Sequence, residues 1–130
     1  MLKKEKYSSG TVWEKNVGYS RAVKVGNIIE VSGTTAVNEN GEIVGLDDAY
    51  QQACFIFQKI RMVLNIAGAD LKDVVRTRMY VTDISHWEDV GRAHGEFFRK
   101  IKPAATLIEV NALVDPLLLV EIEATAIIGE

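Results

Sequence analysis

Cysteine is scarce in this sequence. Cys54 stands alone among 130 residues, so no intrachain disulfide forms, which agrees with a reducing compartment. At this length one domain buries a core without such a staple. Two prolines, no biased tract and no internal repeat leave no basis for a disordered or fibrous chain. Basic charge is not in excess either, with 15 Lys and Arg against 18 Asp and Glu, a net charge of −3 and no footprint for nucleic acid. No apolar run approaches the roughly 20 residues of a membrane span, so no membrane partner is expected. The opening MLKKEK is followed by YSSGTVWEKN rather than by an apolar stretch of about 7–15 residues. The chain is therefore expected to be cytoplasmic, with its opening a solvated tail.

Several kinds of site are missing as well. There is no GxxxxGK[ST] phosphate loop, no GxGxxG and no GxSxG elbow, and no cofactor is expected. His86 and His94 lack a second cysteine or a close carboxylate at ligand spacing, which argues against a metal. His94 reads as a helix residue near the core edge. Cys54, between Ala53 and Phe55 with no adjacent base, reads as packing rather than as a nucleophile.

What is present is a clear alternation of strand and helix patterns. In SRAVKVGNIIEVSG two β-rich runs flank Gly26-Asn27, a pair suited to a tight hairpin. Asn40-Gly41 marks a further turn. From Asp47, apolar residues at Ala49, Ala53, Ile56, Ile60, Val63, Leu64 and Ala67, with Gly68 behind them, predict a helix. VVRTRMYVTD predicts a strand in which Val75, Thr77, Met79 and Val81 alternate with Arg76, Arg78 and Tyr80. SHWEDVGRAHGEFFRKI predicts a second helix, N-capped by Ser85 with Glu88 three residues on, and with an apolar stripe through Trp87, Val90, Ala93 or His94, and Phe97. ATLIEV and LLLVEIEATAII supply two more strands. The order β-β-α-β-α-β-β predicts one α+β domain spanning 1–130, with both helices on one face of a mixed or antiparallel sheet.

The last strand carries two carboxylates, Glu121 and Glu123, in a strongly apolar run. Alternation sets them on the face turned away from the helices, with Glu30, Ser32, Arg76, Arg78 and Tyr80. Leu119, Ile28 and Ile127 fall on that same face, where a merely solvated surface gains nothing from them, so the mixture reads as a subunit interface or a wet pocket. A desolvated carboxylate beside a hydroxyl can hold a water for attack on a C=N bond as a general base with a raised pKa. Cross-strand pairing with an arginine explains Glu123 equally well.

VGYSRAVKVGNIIEVSG, AGADLKDVVRTRMYVTDISHW, PAATLIEV and VEIEATA together resemble the Rid family, also called YjgF, of reactive intermediate deaminases. The resemblance runs from about Gly18 to Ala126. It implies a chorismate-mutase-like fold, assembly as a homotrimer with further copies of the same chain as partners, and a small-molecule cleft between subunits. It further implies that Tyr19, Ser32, Gly33 and Trp87 contact the ligand and that Glu121 orients the attacking water. Deaminating members carry Pro-Ala-Arg-Ser, whose arginine clamps the substrate carboxylate. Here the segment is Pro103-Ala104-Ala105-Thr106, so Ala105 replaces that arginine. Leu107 stands where many members have cysteine, and Gly91 where many have Asn.

A guanidinium clamp contributes roughly 1.5–3 kcal/mol per charge-assisted hydrogen bond, so its loss predicts weak binding of the usual 2-imino acids. The expected function is binding, with hydrolysis of another enamine, imine or related C=N substrate, over an apolar floor of Ala105 and Leu107. Arg21 or Arg78 is a candidate anion-binding replacement, which would restore 2-iminobutanoate or 2-iminopropanoate deamination. A non-catalytic regulatory role stays open. Ribonuclease activity, a label attached to the family, finds neither paired histidines nor a basic groove.

Overall fold

The computed structural model describes residues 2–129. In chain order the elements are β1 (Lys4–Tyr7), α1 (Val12–Val17), β2 (Ala22–Val25), β3 (Ile28–Thr34), α2 (Ala49–Ile66), β4 (Val74–Val81), α3 (Trp87–Phe98), β5 (Ala104–Glu109) and β6 (Val120–Ile127). They build one six-stranded sheet in the order β1-β2-β3-β6-β4-β5. Every neighbouring pair is antiparallel except β4–β5. That parallel pair needs a crossover, and α3 supplies it. The two long helices pack on each other and α2 packs on β3 and β6, so the expected two-layer α+β arrangement is the one observed.

The hairpin closes where the sequence places it. Gly26 takes φ +61° and Val25 faces Ile28 across the turn. The opening segment departs from the tail expected for it, because Lys4–Tyr7 pairs along β2 from Lys4↔Val25 to Tyr7↔Ala22. Backbone pairing is indifferent to side-chain charge, and lysines with exposed heads suit an edge strand. No periodic apolar signal announces such a strand.

Helix α2 forms as its pattern predicts. Asp48 caps it by accepting from the Gln51 N–H at 3.0 Å, and Gly68 follows it at φ +91°. Its buried face contains the predicted residues together with Phe57 and Gln52. The Gln52 amide donates to the carbonyls of Gly45 and Leu117 and accepts from the Leu119 N–H, so a fully buried polar side chain fastens the loop that feeds β6.

Two local expectations need correction. In β4 the alternation slips at a bulge between Val74 and Arg76, so Val74 enters the core and Val75 stays 42% exposed. Ahead of α3, Asp83 rather than Ser85 caps the chain, accepting the Ser85 N–H at 2.9 Å over a short 3-10 turn at Ile84–His86. The α3 stripe buries Val90, Ala93 and Phe98, whereas Trp87 is 56% exposed.

Candidate active site

The predicted site residues fall into two groups, and the strand registers put them on opposite faces of the sheet. In β6, Glu121 and Glu123 stand opposite Tyr80 and Arg78 of β4. In the parallel pair, Thr77 and Met79 face Ala105 and Leu107. Thr77 bonds to His94 of α3, so this second set lies on the helix side. One residue of alternation separates the sets, and in a sheet that means a change of face.

The first group gathers around a bulge in β3. Val31 pairs with Ala124 and Thr34 with Ile122, so Ser32-Gly33 is the irregular stretch that faces Glu123 of the neighbouring strand. The bulge turns the Gly33 backbone beneath the Glu121 carboxylate. A Cβ at Gly33 would stand 3.1 Å from Glu121 Cδ and collide with its oxygen, so only glycine leaves that carboxylate in place. The Ser32 hydroxyl donates to the Ser20 carbonyl at 2.6 Å and ties the bulge to the segment that carries Tyr19.

Arg21 lies at the centre of this group. Its Nη2 donates to the Gly33 carbonyl at 2.6 Å, and its guanidinium sits 5.8 Å from the Tyr19 ring centroid. Burial raises the Glu121 pKa above the usual carboxylate value, Arg21 partly offsets the rise, and Glu123 adds to it. Sequence reasoning missed two neighbours of Arg21. Glu14 is 6% exposed; burial works to raise its pKa, but bonds from Ser9 and Ser8 and the Arg21 charge hold it lower. Lys59 donates to the carbonyls of Thr35 and Val37, both at 2.8 Å, and is pushed down to about 8 by burial and then by Arg21. Neither residue carries a motif that would reveal its place in the sequence.

Arg78 serves a different part of the same face. It lies 3.8 Å from Glu123, which also accepts the Tyr80 hydroxyl at 2.9 Å. Arg78 and Glu123, with Ser32, Glu30 and Val23, line a shallow groove of about 350 Å³. The structural role anticipated for Glu123 is thus visible in its partners. Around them, Ile28, Ile108 and Ile127 remain 40–45% exposed.

On the helix side, Trp87, Ala105 and Leu107 join Met79, Ile84, Gly91, His94 and Thr106 around a groove of about 440 Å³. His94 bonds to Thr77 at 2.8 Å, and burial lowers its pKa. Cys54 is half-buried, and its pKa is raised, chiefly by burial, which favours the protonated thiol over the nucleophilic thiolate. Among the described residues no group of three or more His, Cys, Asp or Glu is placed to hold a metal ion, and no helix is long and apolar enough to cross a membrane.

A six-stranded sheet backed by two helices, with a glycine bulge beneath a half-buried glutamate, defines the class of protein. The sequence model of the family described as Endoribonuclease L-PSP matches residues 13–128. A solved structure of Rv2704 from Mycobacterium tuberculosis, described as a member of the YjgF/YER057c/UK114 family, superposes with a TM-score of 0.88 at 46% identity, covering 97% of this chain and 100% of that one. A RutC family protein of Pyrococcus abyssi is 38% identical over 83% of this chain and 84% of its own length. The 3-aminoacrylate deaminase RutC of Acinetobacter baylyi is 32% identical over 83% and 85%. The chain belongs to the L-PSP family, that is, the Rid or YjgF family.

Proposed function

We propose that this chain assembles as a homotrimer, binds a small metabolite between neighbouring copies and hydrolyses an enamine, imine or related C=N group outside the usual 2-imino acids. The observation that carries the reading is Glu121, a half-buried carboxylate seated against the Gly33 backbone with its affinity for a proton raised by burial. A carboxylate of that kind is suited to general base catalysis near neutral pH. In the proposed reaction Glu121 takes a proton from water as the water oxygen bonds to the imine carbon. The C=N electron pair moves to nitrogen, which picks up a proton. In the carbinolamine the hydroxyl proton then passes, by way of Glu121, to nitrogen as the C–N bond breaks, which releases the amine and leaves a carbonyl product. An enamine first gains a proton at carbon and enters as the imine.

The assembly follows from the division of the site. Tyr19, Ser32, Gly33 and Glu121 cannot converge with Trp87, Ala105 and Leu107 on one small ligand within a protomer, because the sheet lies between them. A neighbouring copy that sets its helix-side groove against this Glu121 completes a cleft, and the outer face with Ile28, Ile108 and Ile127 among charged residues is a surface such packing would bury. The relative named as a 3-aminoacrylate deaminase supports enamine chemistry. Arg21 gives one guanidinium nitrogen to the Gly33 carbonyl and Arg78 pairs with Glu123, and neither lines the groove with Ala105 in its own protomer, which favours a substrate that needs no carboxylate clamp there.

Ammonia release from freshly generated 2-iminobutanoate tests this reading. Wild type is expected to be slow, Ala105→Arg faster by about tenfold or more from the restored charge-assisted contact, and the Ala105→Arg/Glu121→Gln double variant no faster than buffer. Wild-type turnover equal to that of Ala105→Arg, or undiminished turnover without Glu121, would overturn it.

A further inference from the structure

The helix-side groove holds no lysine or arginine among its lining residues. Its one titratable member, His94, is bonded to Thr77 and wedged between aromatic rings, with its centroid 5.7 Å from that of Phe57 and 4.7 Å from that of Phe98. Burial keeps it neutral at physiological pH, so a carboxylate entering the groove would lose water and meet no cation among the groove's own lining residues.

The groove is also open in a particular way. Gly91 on α3 has nothing within 4 Å of the position a Cβ would take, and across from it Ala105 ends at a methyl group. The walls are Trp87, 56% exposed, and Ile84, 47% exposed. Two large apolar side chains left open beside a gap flanked by the two smallest residues offer contact to a flat apolar group, by offset stacking on the indole and by burial against Ile84 and Leu107. The volume of about 440 Å³ lies within the usual range of small-molecule sites.

We propose that the groove formed by Trp87, Ile84, Gly91, Ala105 and Leu107 receives an uncharged aryl group of the substrate, so that the C=N compound acted on is an aryl-substituted one without a carboxylate. The proposal rests on the cleft reading above and names the substrate class for it. Substituent recognition falls to the helix-side groove and proton transfer to Glu121 of a neighbouring copy. Ala105 and Gly91 then set specificity by their small size.

Binding of unreactive probes tests this without any turnover. In the full-length protein carrying Trp13→Phe, which leaves Trp87 as the sole indole, fluorescence is titrated with benzamide and with benzoate at pH 7. Calorimetry on the wild type is run in parallel, in case Trp13→Phe perturbs the fold. Benzamide is expected to bind at least tenfold more tightly than benzoate. Ala105→Arg should reverse that order, and Gly91→Leu should weaken benzamide at least tenfold while leaving the oligomeric mass unchanged. Benzoate binding as tightly as benzamide, no binding of either, or a Gly91→Leu variant that changes the assembly, meaning that a second copy fills the groove, would each overturn the proposal. Neither probe is hydrolysed, so loss of the Glu121 chemistry and loss of groove recognition are separate results.

Discussion

At the scale of the residue, Glu121 combines two demands that oppose each other. A raised folded-state pKa means that the folded protein holds this proton more tightly than the unfolded chain does. The corresponding stabilisation is complete below the ordinary glutamate value of 4.5 and is lost as pH rises through the higher folded value. Near neutrality, where the proposed mechanism needs the ionised form as a base, Glu121 therefore weakens the fold. Glu121→Gln, which cannot ionise, is expected to melt higher than wild type at pH 7, with the gap closing as pH falls towards 4.5, while hydrolysis is lost. Thermal unfolding at the two pH values reads the first effect, and a variant no more stable at pH 7 would show that the carboxylate is well solvated. The sequence singles out Glu121 through its apolar strand, but it does not reveal Gly33 beneath it, because the contact depends on a bulge in a strand far away in the chain.

At the scale of the element, the entry into α3 shows how closely two signals can compete. Ser85 with Glu88 satisfies a capping-box spacing, yet Asp83 accepts the Ser85 N–H and its pKa is held below the usual value, first by bonding to Ser85. The short 3-10 turn moves the start of the α-helix to Trp87, two residues beyond the predicted cap. Asp83→Ala is expected to cost about 1 kcal/mol in urea unfolding, and Ser85→Ala a few tenths. Equal costs would mean that the cap is shared. The same displacement exposes Trp87 to the groove instead of the core, so a local capping choice decides where a predicted site residue points. In β4 the bulge acts similarly by shifting Val74 inward and leaving Val75 out, which keeps Arg78 and Tyr80 beside Glu123 and Glu121.

At the scale of the whole molecule, the proposed function makes assembly part of the chemistry, because the predicted site residues divide across the sheet. If Glu121 of one copy works with Trp87 and Ala105 of another, two inactive variants should repair each other. Glu121→Gln and Trp87→Ala, each inactive alone, are expected to regain about a quarter of the wild-type sites when unfolded together and reassembled in equal amounts, because random mixing pairs an intact half with an intact half in that share of interfaces. Sedimentation of the mixture checks that three-chain particles have formed, and activity confined to the unmixed wild type would place both halves in one chain.

The sequence by itself determined the element order, the hairpin, the long helix and the strand that carries Glu121, because each rests on short-range periodicity and turn chemistry that the chain states locally. It also marked the mixed character of the outer sheet face, and its family resemblance drew attention to Ala105. Only the tertiary structure decided that Lys4–Tyr7 is an edge strand, that Gly33 and Arg21 lie against Glu121 with Glu14 and Lys59 near Arg21, and that the site residues divide between opposite faces of the sheet. These depend on which strands become neighbours and on where a register slips by one residue, and both are settled by long-range packing rather than by any local run of side chains.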